Sequence, residues 1–107
     1  MIKTELNNLL VVLRDSFAQI FGDQFDRMLL FGSRARGDAR PDSDIDVLVV
    51  LRGEFDYGEA IRLTSEIVSR LSLENELVLS RSFISKQQFD REQTPFLRNV
   101  RRESIPV

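Results

Sequence analysis

The sequence contains neither cysteine nor histidine among its 107 residues. The first absence excludes disulfides and thiolate metal sites, and the second removes the most common general base and zinc ligand. Any bound metal must therefore sit on carboxylates, which favours Mg²⁺ or Mn²⁺. The formal net charge is −2, so the chain has no overall basic field that would hold nucleic acid.

Long apolar runs are also missing. No stretch approaches the length that spans a bilayer, and the first ten residues, MIKTELNNLL, have the features of neither a signal peptide nor a transit peptide. We therefore expect a cytoplasmic protein with neither a membrane nor nucleic acid as a partner. Hydrophobic residues make up 42% and charged residues 30%, an ordinary globular mixture that fits a single domain over residues 1–107.

The spacing of apolar residues predicts six main elements in the order α, β, β, α, β, α. Ser85 with Gln88, and Thr94 with Pro95, carry the residue types that begin helices. The predicted helices cover residues 2–21, which Gly22 ends, residues 57–71 and a segment after Thr94; the predicted strands cover residues 28–31, 45–51 and 76–84.

The connection between the first two strands is about a dozen residues long, which is too short for a helical crossover. These strands are therefore predicted to be antiparallel neighbours. The whole pattern predicts an α+β fold, a small α/β sandwich in which helices pack on one face of a short mixed sheet.

Two carboxylates stand at the start of the second strand. Asp44 and Asp46 are two residues apart, so strand alternation places their side chains on the same face. Two ionised carboxylates so close together repel each other, and a divalent cation compensates that repulsion. Alone, this pair is more typical of a solvated strand end, so its context decides the interpretation.

That context is a phosphate-binding pattern at the end of the first strand. Gly32 allows a backbone to approach a phosphate closely, and the Ser33 hydroxyl can bind phosphate oxygens. Arg34 and Arg36 have guanidinium groups suited to phosphate, although they can equally pair with Asp38 and Asp42 on a wet loop. A triphosphate, Mg²⁺ and two carboxylates would then meet at one corner of the sheet, as displacement at phosphorus requires.

The segment GSRARGDARPDSDID, with Gly-Ser, ten residues and then Asp-x-Asp, resembles the nucleotidyltransferase superfamily related to DNA polymerase beta. It is most similar to the minimal nucleotidyltransferases, and the resemblance extends over nearly the whole chain. The resemblance implies that Gly32 and Ser33 contact nucleotide phosphates and that Asp44 and Asp46 ligate two Mg²⁺ ions. It further implies a third carboxylate, which would be a metal ligand and general base. Glu76 is the best candidate for it and Glu74 the second.

The resemblance implies an Mg²⁺-dependent enzyme of the adenylyltransferase type. The enzyme would transfer AMP from ATP, or the monophosphate of another NTP, to an acceptor hydroxyl. Many minimal members are antitoxins paired with a HEPN-type toxin, so that toxin is the expected partner and acceptor. The alternative is a weak or inactive member of the fold that acts as an antitoxin by binding alone. The third carboxylate discriminates between the two.

The remaining clusters have simpler interpretations. The phenylalanines, Phe96 among them, are expected in the core because they show no pattern of a base-stacking platform. The arginines Arg98, Arg101 and Arg102 are typical of a solvated helix end, where the helix dipole favours cations. An RNA or an acidic partner on these arginines is the less favoured interpretation.

Overall fold

The structure, a computed structural model, describes residues 3–37, 40 and 43–107. Within them the helices are α1 (Lys3–Phe21), α2 (Ser33–Arg36), α3 (Tyr57–Glu74), α4 (Lys86–Arg91) and α5 (Pro95–Glu103), and a 3₁₀ turn covers Gly22–Gln24. The strands are β1 (Phe25–Phe31), β2 (Ile45–Leu51), β3 (Leu79–Ser85) and β4 (Ile105–Pro106).

The four strands form one mixed sheet in the order β3-β2-β1-β4. Strand β1 is antiparallel to β2 and to β4, whereas β2 is parallel to β3 across the α3 connection. The predicted antiparallel pairing of β1 and β2 is confirmed. At one end of the sheet Asp46 is the partner of Phe31 on β1 and of Ser80 on β3, so these three residues form one row.

The predicted α+β class is confirmed, but the expectation of helices on one face holds only for α1 and α3. These two helices pack on the face of β2 that carries Val47 and Val49. The short helices α4 and α5 cover the face that carries Leu48 and Val50. Because β2 is apolar on both faces, each face needs a cover. The buried residues of this second core are Leu29, Leu48, Val50, Phe89, Leu97 and Val100.

Helix α5 is fixed to the sheet by packing and by a link to α4. Leu97 is 2% exposed and Val100 is 3% exposed. The guanidinium of Arg101 donates to the carbonyl oxygens of Phe89 and Glu92, at 2.7 Å for Glu92, and lies over the Phe89 ring. Arg101 is therefore a structural residue of the α4–α5 pair and not part of a solvated cluster.

The predicted helix starts are confirmed. The Ser85 hydroxyl accepts a hydrogen bond from the Gln88 backbone N–H, and the Thr94 hydroxyl accepts one from Leu97 N–H, with Pro95 in the first turn. Some boundaries differ from prediction. Strand β1 begins at Phe25 instead of residue 28, α3 continues to Glu74 instead of residue 71, and α2 and β4 were not predicted.

Both edges of the sheet have features that oppose the addition of a strand. On β3 the backbone N–H groups of Leu79 and Phe83 donate to the Ser72 and Tyr57 hydroxyls, at 3.4 Å each. Strand β4 has only two residues, one of them Pro106, which has no N–H to donate. Within the described part of the chain, none of the helices has the length and apolarity needed to cross a bilayer.

Candidate functional site

The carboxylate pair lies at the beginning of the central strand. Asp44 immediately precedes β2 and is exposed, while Asp46 is the second residue of β2 and is partly buried. Burial, and then the charge of Asp44, raise the pKa of the Asp46 carboxyl above its ordinary value. Each cause disfavours ionised Asp46, and a bound cation would offset both of them.

At Gly32 the Gly-Ser half of the motif comes into contact with its Asp-x-Asp half. Its backbone has φ 77° and ψ −158°, a conformation that is essentially restricted to glycine. A Cβ atom placed on Gly32 would lie 2.6 Å from Asp46 Oδ2. The backbone at the end of β1 therefore lies directly against the Asp46 carboxylate, and the space between them admits no side chain.

Helix α2 begins at Ser33, immediately after this glycine. The Gly32 carbonyl accepts hydrogen bonds from the backbone N–H groups of Ala35 and Arg36, at 3.1 Å each, which turns the chain away from the sheet. The first N–H groups of a helix have no partner within that helix. The hydroxyl and the backbone N–H of Ser33 lie in this turn, next to Asp46. Both groups can donate a hydrogen bond to a phosphate oxygen.

The structure places both predicted arginines beside the motif, where they contact protein groups. Arg34 Nη2 donates to the Ser43 carbonyl at 2.8 Å, so it ties α2 to the residue before Asp44. Arg36 Nη1 lies 3.7 Å from Glu103 Oε2 on α5. The alternative partners, Asp38 and Asp42, lie outside the described residues.

Glu76 is not on β3, so the prediction of a strand over residues 76–84 is wrong at its start. It lies in the turn after α3 with φ 52°, three residues before Leu79 begins the strand. Ser80 is instead the β3 residue opposite Asp46. Across residues 3–37, 40 and 43–107, no group of three Asp or Glu side chains is placed to hold one metal ion.

The donor set fits Mg²⁺. This ion is usually held by one or two protein carboxylates and completes its shell with water and substrate phosphate oxygens. Asp44 and Asp46 provide that number of carboxylates. Burial first, and then the charge of Asp44, raise the pKa of Asp46, and such an ion would offset both effects. A fully protein-made cage of three or more acids is not built by the described residues.

Sequence reasoning missed the contribution of α5 to this corner. A cavity of about 240 Å³ opens between the Gly32 turn and α5. Phe96, predicted to be in the core, is 47% exposed and sits at this cavity. The helix start at Thr94 could be predicted, but its position over the sheet could not. The cavity is lined by Phe31, Gly32, Arg36, Phe96, Asn99, Val100 and Glu103.

A larger groove among the described residues, of about 760 Å³, lies elsewhere. It runs between α1, the flank of α2 and β4, and most of its lining residues, such as Leu6, Leu10 and Ile105, are apolar. Neither Asp44 nor Asp46 reaches it. Metal-assisted transfer at phosphorus needs carboxylates that can ligate the metal. We therefore place the candidate site at the corner with Asp44 and Asp46 and not in this groove.

With this geometry established, comparison with known proteins identifies the family. The model of the family described as "Nucleotidyltransferase domain" matches residues 11–104. The chain belongs to this family. A protein of Methanocaldococcus jannaschii, named "Putative protein adenylyltransferase", is 33% identical over 76 residues, which are 71% of this chain and 76% of the relative.

Solved structures show the same fold. One chain of a toxin–antitoxin crystal structure with AMP-PNP has a TM-score of 0.59 at 17% identity, covering 92% of this chain and 69% of that chain. A structure described as a "putative minimal nucleotidyltransferase" has a TM-score of 0.57 at 24% identity, covering 95% of each chain. The nucleotidyltransferase-like fold predicted from the sequence is thereby confirmed.

Proposed function

We propose that this protein transfers AMP from ATP to a hydroxyl group on a partner protein. The observation that carries the proposal is the contact between the two halves of the motif. The Gly32 backbone lies against the Asp46 carboxylate so closely that a Cβ atom would stand 2.6 Å from Oδ2. A phosphate-binding turn and a carboxylate pair therefore share one corner, which is the arrangement that transfer at phosphorus needs.

In this proposal each residue has a distinct role. Gly32 lets the backbone of the turn approach the Asp46 carboxylate, and Ser33 donates hydrogen bonds to phosphate oxygens. Arg34, bonded to the Ser43 carbonyl, fixes the loop that precedes Asp44. The acceptor oxygen forms a bond to the α-phosphorus, the bond from that phosphorus to the pyrophosphate oxygen breaks, and the hydroxyl proton passes to a base or to solvent.

Asp44 and Asp46 would hold Mg²⁺, with two ions expected from the family resemblance. When bound, the ions supply neutralisation of the triphosphate charge and orientation of the attacking and leaving oxygens. Without them, the ionised form of Asp46 is disfavoured by burial and by the charge of Asp44. The role of Glu76 as a third acid stays a prediction, and its position in a turn outside β3 does not favour it.

The acceptor is proposed to be a protein because the M. jannaschii relative is named as a protein adenylyltransferase. The likeness to a chain of a toxin–antitoxin structure favours a toxin as that partner, and the resemblance suggests one of the HEPN type. The protein would then act as an antitoxin that modifies its toxin. The AMP-PNP present in that toxin–antitoxin structure is consistent with ATP as the nucleotide.

The test is label transfer from [α-³²P]ATP to the product of the adjacent gene, with Mg²⁺ present. We expect the partner to gain the mass of one AMP. Asp46→Asn should reduce the rate by on the order of 100-fold or more, because loss of even an outer-shell partner of a metal costs about 10–100-fold. Asp15→Asn, on the exposed side of α1, is the matched control and should retain the wild-type rate.

A second candidate function is neutralisation of a partner by binding alone. The observation that favours it is Ser80, a hydroxyl residue at the β3 position opposite Asp46. A hydroxyl is a poor base at neutral pH compared with a carboxylate. If the wild-type protein binds and neutralises the partner with no label transfer, and Asp46→Asn neutralises equally well, this function replaces the first.

A further inference from the structure

We propose that the cavity between the Gly32 turn and α5 holds the adenine base of the nucleotide, with Phe96 stacking on the ring and Asn99 recognising its edge. This inference rests on the proposed function and adds a specificity site to it.

The cavity lies on the correct face of the sheet. Phe31 and Asp46 are direct partners in antiparallel strands, so their side chains point to the same face. Phe31 packs against the core that includes Leu97 and Val100 of α5. Helix α5 therefore covers the same face that presents the Asp46 carboxylate, and a nucleotide with its phosphates at Asp46 meets α5 next.

The cavity is continuous with the phosphate turn because Gly32 lines it. The same Gly32 backbone approaches Asp46 Oδ2. One nucleotide can therefore place its base in the cavity and its phosphates at the turn. The volume of about 240 Å³ is below the range of about 300–1,000 Å³ that encloses whole drug-sized ligands. It therefore suits one ring system, with the triphosphate outside.

Phe96 provides an aromatic surface. Its ring is 5.5 Å from the Phe31 ring at an interplanar angle of 87°, so Phe31 fixes its orientation while 47% of the residue remains exposed. An aromatic residue that is half exposed beside a cavity is the arrangement on which bases stack. Core packing alone does not explain its position, because Leu97 and Val100 already bury the inner side of the helix.

Asn99 provides the hydrogen-bonding edge. Its Oδ1 accepts from Arg102 Nη2 at 3.0 Å, which orients the amide, and a carbonyl oxygen has a second lone pair. An asparagine amide matches adenine, since the oxygen accepts from the N6 amino group and the nitrogen donates to N7. Guanine has a carbonyl at C6, which would set two acceptors against each other. The cavity should therefore prefer ATP to GTP.

The experiment measures affinities for MgATP, MgGTP and Mg-tripolyphosphate by calorimetry, in the wild type and three α5 variants. Phe96→Ala should weaken ATP binding roughly 5- to 150-fold, the equivalent of about 1–3 kcal/mol per stacked base. Asn99→Ala should remove the preference for ATP over GTP. Neither variant should change tripolyphosphate binding by more than about twofold, since that ligand has no base. Arg98→Ala, on the exposed side of the same helix, is the control and should match the wild type.

The outcomes separate this inference from the proposed function. If the wild type binds tripolyphosphate as tightly as ATP, or if both Phe96→Ala and Asn99→Ala bind ATP like the wild type, the base does not occupy this cavity while the phosphate site stands. If the wild type binds neither ligand, the proposed function fails and this inference fails with it. Should Phe96→Ala lose its fold by circular dichroism, the base preference of the exposed Asn99→Ala variant decides.

Discussion

Replacement of Gly32 by alanine tests the central geometric claim about this protein. The φ of 77° and ψ of −158° at this position belong to a region that costs a residue with a side chain about 1–3 kcal/mol. The new methyl carbon would also stand 2.6 Å from Asp46 Oδ2, well inside the roughly 3.3 Å of the closest carbon–oxygen contacts. We expect Gly32→Ala to lower the free energy of unfolding by about 2–3 kcal/mol, with strain as the larger part.

Thermal and urea unfolding measure this loss. For a domain of this size, 1 kcal/mol shifts Tm by about 4–8 °C, so Tm should fall by roughly 8–24 °C. The matched control is Gly37→Ala. Gly37 also has a positive φ, 83°, but among the described residues no heavy atom lies within 4 Å of a Cβ added there. That variant carries backbone strain alone, about 1 kcal/mol.

A double-mutant cycle isolates the contact with the carboxylate. If the added methyl group clashes with Asp46, then Asp46→Ala should recover part of the loss caused by Gly32→Ala, with a coupling energy of about 0.5–3 kcal/mol. Equal losses for Gly32→Ala and Gly37→Ala, together with additive effects of Gly32→Ala and Asp46→Ala, would refute the claim that the turn and the carboxylate are in contact.

Three further predictions concern the carboxylates and α5. Because burial and Asp44 raise the pKa of Asp46, ionised Asp46 destabilises the fold above its folded pKa; Asp46→Asn should therefore raise Tm at pH 7 without divalent cations, and a lower Tm there would contradict this. This gain in Tm should shrink as the pH falls through the folded-state pKa of Asp46 toward the ordinary value of 3.8, because wild-type Asp46 is then protonated in the folded protein. Leu97→Ala should cost about 2–5 kcal/mol in urea unfolding because Leu97 is 2% exposed, and an unchanged midpoint would show that α5 does not dock. Glu76→Gln tests the predicted third acid: a loss of label transfer on the order of 100-fold would support that role, and a rate within about twofold of the wild type would exclude it.

Local patterns predicted the elements well where one physical effect dominates. The β-branched run of β2 gave the bounds Ile45–Leu51 without error, and hydroxyl capping gave the starts of α4 and α5. Strand β1 was predicted three residues short because Asp26 and Arg27 interrupt its apolar pattern, although both lie within the strand. Asp26 is also paired with Arg52 on the chain after β2, at 3.2 Å, and an apolar count does not detect such a tertiary contact.

The candidate site was predictable in part for the same reason. The positions of Gly32, Ser33, Asp44 and Asp46 follow from strand alternation and motif spacing, which are local. The role of α5 depends on which face of the sheet the helix covers, and that is decided by contacts of Leu97 and Val100 with residues far away in sequence. Glu76 was misplaced because the strand pattern continued through a turn whose positive φ the sequence does not reveal.

Both edges of the sheet have features that disfavour strand addition, which restricts how the proposed protein acceptor would be recognised. Partners that add a strand to an exposed sheet edge need a row of accessible backbone N–H and C=O groups. Here the Tyr57 and Ser72 hydroxyls accept hydrogen bonds from N–H groups on the β3 edge, and Pro106 on β4 has no N–H to offer. A substrate protein would consequently be recognised by its folded surface and its side chains, and not by backbone pairing with the sheet. We therefore expect short unstructured peptides that carry the acceptor hydroxyl to be poor substrates compared with the intact partner.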